Sequence, residues 1–321
     1  GGGGNPHFSN VKRFGEAINT PNVWEPGCAQ CYLPRMGASQ LSNGMGKPNN
    51  LSFADSNGWD YYFTDSPVDS LVLWGTDPSN SSVATGGRAL AELRAREQGL
   101  KTVVIDPRMT MDAAKAEVWL PIRPGTDAAL LMAWTKWIID NEKYDEDFCT
   151  NWTNMPYIVN PETRLTLKPT ECGLEGTDKD YVIWDPAEGK PVVLEYPMNE
   201  GVTPPLFGTY EIDGKQYPTG GQLLKESVDE FTLAKAAEIC WLDEGQIEKA
   251  LEIYTTGQSG IMQGVPIDQY EQSQQCALGA LNLEYLMGNV QKPGAMLQSF
   301  KACPARDQIP NTPRFLKKEK M

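Results

Sequence analysis

The sequence predicts an α/β fold built around a doubly wound parallel sheet, and three observations carry that prediction. Ser70-Leu71-Val72-Leu73-Trp74 and Lys101-Thr102-Val103-Val104-Ile105 are short apolar runs of the kind found in strands buried on both faces. Residues 82 to 98 between them are helical in pattern, which makes the stretch a βαβ unit with a parallel pair. A third short run, Glu117 to Ile122, is followed at once by a long apolar helix.

Taken in order, residues 8 to 66 are rich in Asn, Gly, Ser and Pro and read as long loops around one or two short elements. The first strand, 70 to 74, ends at Gly75. The helix over 82 to 98 shows its apolar face in Leu90 and Leu93 and stops at Gln98-Gly99. The second strand ends at Asp106-Pro107. After the third, Pro124-Gly125-Thr126-Asp127 opens a helix through about Asn141, with Thr126 as its expected N-cap. That helix is apolar nearly all round, so it must be buried. From 155 to 220, Pro- and Gly-punctuated stretches such as Tyr181-Val182-Ile183-Trp184, Val192-Val193-Leu194 and Tyr210-Glu211-Ile212, with an Asp213-Gly214 turn, fit hairpins. Helices follow over Ala234 to Cys240 and Glu244 to Tyr254, the second capped by Asp243. A strand at Ser259 to Gln263 leads through Gly264-Val265-Pro266 to a helix from about Glu271 to Met287. The end, Lys317-Lys318-Glu319-Lys320, reads as loosely ordered.

Composition narrows the function. The 321 residues are 40% hydrophobic, ample for a core, and 42 acidic against 28 basic residues leave a formal charge of −14. Nucleic acid and anionic membrane surfaces demand a basic footprint, so neither is expected as a partner. No run of 18 apolar residues is present, so no direct membrane insertion is expected, and the start has neither a basic nor an apolar leader region. A cytoplasmic location and export of the folded protein both stay open. Gly1 to Gly4 read as a linker or as the mark of a cut. Seven cysteines, at 28, 31, 149, 172, 240, 276 and 303, are too scattered for a disulfide scaffold, and the lone Cys28/Cys31 pair cannot complete a four-thiolate site. His7 is the single histidine, which disfavours a Ser-His-Asp triad.

Three junctions could hold chemistry, because ligands of a doubly wound sheet sit at the carboxyl ends of its strands. Gly75-Thr76-Asp77-Pro78-Ser79 permits close backbone approach to a phosphate, or is an ordinary βα turn. Asp106 could accept two ribose hydroxyls, with Arg108 beside a phosphate; the alternative is an Asp-Pro turn with a surface ion pair. Asp127 lies in the first turn of the buried helix, where the dipole favours a carboxylate, and it could equally accept the paired N–H donors of a guanine edge. No GxGxxG string follows either strand, which departs from the nicotinamide-dinucleotide fingerprint.

The strings Leu73-Trp74-Gly75-Thr76-Asp77-Pro78, Val104-Ile105-Asp106-Pro107-Arg108, Leu120-Pro121-Ile122-Arg123-Pro124-Gly125-Thr126-Asp127 and Leu286-Met287-Gly288-Asn289-Val290-Gln291-Lys292-Pro293-Gly294 resemble, in order and spacing, the dimethyl sulfoxide reductase family of molybdenum and tungsten enzymes. The resemblance runs from about residue 15 to 295. It implies two molybdopterin guanine dinucleotides around one Mo or W. Carried over, Gly75, Thr76, Asp77 and Ser79 would contact a phosphate and ribose, Asp106 and Arg108 the same arm, and Gly125, Thr126 and Asp127 its guanine end. Gly264, Val265, Asp268 and Gln269 would approach the other cofactor. The family's protein ligand to the metal follows a Pro-Asn or Asn-Asn pair; after Pro21-Asn22 stand Cys28 and Cys31. Cys31 is preferred, because Pro34 and Gly37-Ala38 resemble the run after the family's ligand, and Cys28 is second. A soft thiolate suits such a metal.

The resemblance further implies two doubly wound, Rossmann-like αβα domains. The first would be discontinuous, over 1 to 66 and 205 to 300, around an inserted nucleotide-binding domain over 67 to 204, with a tail from 301. Several family features are missing: the cysteine cluster for a 4Fe–4S centre, which would then lie outside this chain, the carboxy-terminal domain, and the commoner Asn at Asp77. Ala295 stands where a second glycine is frequent. The chain is therefore expected to be a central part of a catalytic subunit, closer to the acetylene hydratase, transhydroxylase and catechol dehydroxylase branch than to nitrate or formate enzymes. The implied activity is two-electron oxo or hydroxyl transfer on a small-molecule substrate, with electrons from an iron–sulfur subunit. The alternative is a cofactor-free scaffold of the same fold. Cys31 and the intact Pro-Gly-Thr-Asp string favour the enzyme. Acid/base residues are not assigned.

Overall fold

The computed structural model describes residues 13–22, 34, 37–38, 41–42, 68–81, 87–195, 201–290 and 292. Four strands form one parallel sheet: β1 (Ser70–Trp74), β2 (Lys101–Ile105), β3 (Val118–Leu120) and β8 (Ser259–Gln263), in the order β3-β2-β1-β8. Every residue of β1 and β8 is buried, as the apolar run Leu71–Trp74 required of β1.

The two faces are covered by different helices. Val72, Trp74, Val103 and Ile105 point into the larger core. There they meet α3 (Asp127–Asp140), α7 (Glu244–Tyr254) and α8 (Ser273–Leu286). Leu71, Leu73 and Val104 point the other way, to Ala95 of α2 (Gly87–Glu97) and to Ala113. Period-two alternation along each strand thus feeds two cores, the condition for a three-layer αβα sandwich. The apolar helix α3 is enclosed as expected: Leu130, Leu131, Ala133, Trp134 and Ile138 are buried, and Trp134 lies between Trp74 and Tyr254 at centroid distances of 5.7 and 5.5 Å.

Smaller elements complete the chain. A short α1 (Pro78–Ser81) precedes α2, and α4 (Glu146–Trp152) follows α3. Two antiparallel hairpins, β4 (Val182–Asp185) with β5 (Lys190–Val193) and β6 (Thr209–Ile212) with β7 (Lys215–Pro218), occupy the Pro/Gly-rich stretch, the second turning at Asp213-Gly214. Helices α5 (Gly220–Val228) and α6 (Leu233–Cys240) lead into α7, and Asp243 caps α7 by accepting from the Gln246 N–H at 2.9 Å. Thr126 stands at the start of α3, but its hydroxyl donates to the Arg123 carbonyl at 2.7 Å instead of capping the helix.

One expectation about domains meets a different arrangement. Strand β8 comes from the 205–300 segment, yet it pairs in register with β1 of the 67–204 segment, Trp74 facing Gln263. The boundary at 204/205 therefore does not separate two sheets. Among the described residues there is a single parallel sheet, shared by both segments. Most of 1–66 and all of 301–321 lie outside the described residues.

Among the described residues no strand pairs with the outer side of β8, and a side chain meets it there. Glu284 of α8 accepts the Ile261 N–H at 2.6 Å and is wholly enclosed, beside Tyr254, Ser259 and Asn289. Asn289 donates to the Ser259 hydroxyl at 2.7 Å. Burial pushes the Glu284 carboxyl well above the usual carboxylate range.

Candidate cofactor-binding site

Chain order places the site. From β1 the chain steps outward through β2 and β3, then returns on the other side of β1 as β8, so the topological switch point lies between β1 and β8. At their carboxyl ends stand Gly75 and Gly264. The Gly264 N–H donates to the Trp74 carbonyl at 2.8 Å, and the Gly75 N–H to the Ile105 carbonyl at 2.8 Å, which zips the three strand ends together.

Both glycines are required by their positions. Gly75 has φ +60°, a backbone that L side chains rarely adopt. At Gly264 the backbone is ordinary, but a Cβ would fall on the Gly75 carbonyl, 2.5 Å from its carbon. The two turns are thus pressed together backbone to backbone. Pro266 and Ile267 of the 3₁₀ turn Val265–Asp268 lie close to Gly75, and the Gln269 N–H closes that turn on the Pro266 carbonyl. The Gln269 side chain is exposed.

Asp127 is the best-built acceptor here. It is 7% exposed at the head of α3, where the helix dipole favours its charge. Its Oδ1 accepts the Trp74 indole N–H at 2.7 Å, and its Oδ2 accepts the Tyr270 hydroxyl in a very short bond. The Cys276 thiol lies 4.0 Å from the same hydroxyl. Burial first, then the Asp127 charge, push the Tyr270 hydroxyl far above its ordinary value, so it is a donor at any physiological pH. Burial, then the same charge, push the Cys276 thiol up to about 12. Gly125 is exposed and has open space around it, and Thr126 is half-buried beside it.

The turn after β1 is occupied by the chain itself. Asp112, 4% exposed, accepts the Ser79 N–H at 3.2 Å and its hydroxyl in a short bond. Ser79's donors are thereby given to a carboxylate where the sequence pointed to phosphate. Asp77 is buried, accepts from Asn80 at 3.0 Å and reaches Asp112. Burial pushes the Asp112 carboxyl up against the pull of Ser79, and Asp77 adds to the rise. Thr76 flanks this turn, half-buried. Asp106, 4% exposed, folds back to accept the Arg108 N–H at 2.9 Å, as an Asp-Pro turn does. The Arg108 guanidinium is 3.5 Å from that carboxylate with its side chain 73% exposed, a pair of small energetic value.

So Gly75, Thr76, Asp77, Ser79, Gly264 and Asp127 gather at one end of the sheet, with Asp106 and Arg108 at the next strand end. Cys28 and Cys31 lie outside the described residues, as do the side chains of Val265 and Asp268. Asp112 and Tyr270 were not visible in the sequence. Trp74 carried a signal: an indole ending an otherwise aliphatic buried strand needs an acceptor for its N–H. Among the described residues, no group of three or more His, Cys, Asp or Glu is placed to hold a metal, and no helix is long and apolar enough to cross a membrane.

A switch-point crevice floored by glycine backbone, with an acidic acceptor of paired donors at a helix head, defines a nucleotide-cofactor-binding α/β protein. This chain belongs to the molybdopterin oxidoreductase family, whose model matches residues 34–316. It is 30% identical over 204 residues to a Halobacterium salinarum protein named as the catalytic subunit of a dimethyl sulfoxide reductase, covering 63% of this chain and 24% of that protein. Identity to the acetylene hydratase of Syntrophotalea acetylenica is 32% over 145 residues, 45% of this chain and 18% of that protein. Identity to a dopamine dehydroxylase of Eggerthella lenta is 29% over 250 residues, 73% of this chain and 23% of that protein. The chain thus spans about a quarter or less of the length of these relatives. Among solved structures, the acetylene hydratase from Pelobacter acetylenicus superposes with a TM-score of 0.56 at 23% identity, over 90% of this chain and 28% of that one. That likeness is one of fold.

Proposed function

We propose that this chain supplies the nucleotide-binding α/β layers of a molybdenum or tungsten oxidoreductase and holds the guanine arm of a pyranopterin guanine dinucleotide. The observation that carries the reading is Asp127, a buried carboxylate that accepts two converging donors inside the Pro-Gly-Thr-Asp string. Guanine N1–H and N2–H₂ make the same demand on an acceptor. The position of Gly75 and Gly264 supports the reading as well, since both stand at the carboxyl ends of the strands that flank the switch point, where a phosphate-bearing arm would lie.

In this reading Asp127 sets the register of the nucleotide, and the strand-end backbone of β1 and β8 fixes its arm in the crevice. Asp106 and Arg108 flank it, and Gly264, Val265 and Gln269 face a second dinucleotide. When bound, the metal and its pterins supply two-electron oxo or hydroxyl transfer. Cys31 is the proposed thiolate to the metal, with Cys28 second. A 4Fe–4S centre and an electron-transfer subunit outside this chain complete the assembly, in keeping with a relative named as a catalytic subunit. The substrate is a small molecule.

A second reading, a cofactor-free scaffold, is favoured by one observation. Asp112 fills the Ser79 donors, and Trp74 and Tyr270 fill Asp127, so the site is satisfied by the chain's own atoms. Metal and pterin analysis of the purified complete protein separates the two. The enzyme reading expects Mo or W with two pterin dinucleotides, and loss of most of the metal in Cys31→Ala. Full metal and full activity in that variant would remove Cys31 from the site. Absence of metal and pterin from the wild type would establish the scaffold.

A further inference from the structure

The two donors that hold Asp127 differ in one respect. Trp74 ends the central strand and is 1% exposed, locked between the sheet and Trp134. Tyr270 is only half-buried and stands in the short connection between the Val265–Asp268 turn and α8. An acceptor built for two parallel N–H groups therefore has one donor that cannot leave and one that can.

We propose that Tyr270 is a displaceable plug in the guanine subsite: its hydroxyl occupies Asp127 Oδ2 until a guanine edge takes its place, while Trp74 keeps Oδ1 in position. The inference rests on the guanine reading of Asp127. It adds that the chain carries its own competitor for the base, and that the competitor is tied to the crevice. Tyr270 lies six residues after Gly264, and the intervening turn brings Pro266 and Ile267 against Gly75. Displacing Tyr270 therefore moves the segment that covers the strand-end glycines, so arrival of the base at Asp127 opens the crevice where the rest of the arm must lie. The bond also has a discriminating effect. A base must offer a donor at least as good as a phenol next to a carboxylate, which an adenine edge with a single amino group and an unprotonated ring nitrogen does less well than guanine.

The test uses the full chain free of cofactor, with GDP as probe and ADP as comparison. Isothermal titration of wild type, Tyr270→Phe and Asp127→Asn is accompanied by hydrogen exchange over residues 264–272. Removing the competing bond is expected to tighten GDP binding about five- to tenfold in Tyr270→Phe, the equivalent of about 1–1.4 kcal/mol. GDP is expected to raise exchange over 264–272 in the wild type, whereas Tyr270→Phe exchanges fast there without ligand. Asp127→Asn, which keeps an oxygen for Trp74, is expected to lose GDP binding. Equal GDP affinity in wild type and Tyr270→Phe, or exchange over 264–272 unchanged by GDP, with Asp127→Asn still losing binding, overturns the plug and leaves the guanine reading intact. No GDP binding by either wild type or Tyr270→Phe overturns both.

Discussion

Replacing Gly264 by Ala isolates the close approach at the switch point. Its φ of −85° is open to any residue, so the substitution adds no backbone strain and acts only through its Cβ. That atom would lie 2.5 Å from the Gly75 carbonyl carbon and 3.0 Å from Thr76 Cβ, where carbon contacts need about 3.5 Å or more. The Gly75 carbonyl oxygen would be nearer still, so the two turns must part by about 1.5 Å, and the 2.8 Å bond from the Gly264 N–H to the Trp74 carbonyl then stretches past the hydrogen-bonding range of about 3.2 Å. Losing that bond costs about 1 kcal/mol and the overpacking about 1–3 kcal/mol, so the expected destabilisation is about 2–4 kcal/mol. For a chain of this size that is a fall in Tm of roughly 3–6 °C, read by circular dichroism or scanning fluorimetry. Gly189→Ala is the control. It sits at φ +63° in the β4–β5 hairpin with nothing within 4 Å, so it bears only the left-handed backbone cost of about 1–2 kcal/mol. A Tm loss in Gly264→Ala no larger than in Gly189→Ala would refute the close-approach argument.

Two further expectations concern buried titratable groups. Glu284 has its folded value raised above the ordinary glutamate value of 4.5, so the folded state holds the extra proton; its contribution is complete below that value and is lost as pH rises towards the folded one. Chemical denaturation across that window should show Glu284→Gln losing less stability with pH than wild type, by up to about 1.4 kcal/mol per unit, and superimposable profiles would contradict the neutral carboxyl. Burial, then Asp145 and Glu146, push the Cys149 thiol up to about 12, as for Cys276, leaving a thiolate fraction of about one in ten thousand at pH 8. Half-exposed Cys172 should therefore be alkylated by iodoacetamide well ahead of both in peptide mapping, and faster labelling of Cys149 or Cys276 would show that these helices open.

Strand identity was legible because burial on both faces writes itself as uninterrupted Val, Leu and Ile, as in β1 and β2. Strand partnership was not. Nothing in Ser259-Gly260-Ile261-Met262-Gln263 says that it lies against Ser70–Trp74, and this is why segments assigned to separate domains turn out to share one sheet. The site divides in the same way. Gly75, Asp106 and Asp127 stand in local strings at or just after strand ends, so their places in the fold could be read from the sequence. Asp112 reaches Ser79 across 33 residues and Tyr270 reaches Asp127 across 143, and in the sequence each is an unremarkable polar loop residue. Ser79 illustrates the cost: a free N–H at a turn looks like a phosphate donor until a distant carboxylate is seen to hold it.

The pairing of β1 with β8 also has a meaning in time. The two strands are separated by 189 residues, and a ribosome adding about 5–20 residues per second needs roughly 10–40 s to travel from one to the other. During that interval β1, β2 and β3 can pair, but one side of Leu71-Val72-Leu73 has no neighbour and offers unpaired backbone to any passing strand. Closure of the switch point between β1 and β8 is thus a late event in making this sheet. A nascent chain stalled before residue 259 would carry an open, apolar sheet edge and no completed switch point, a natural target for a chaperone.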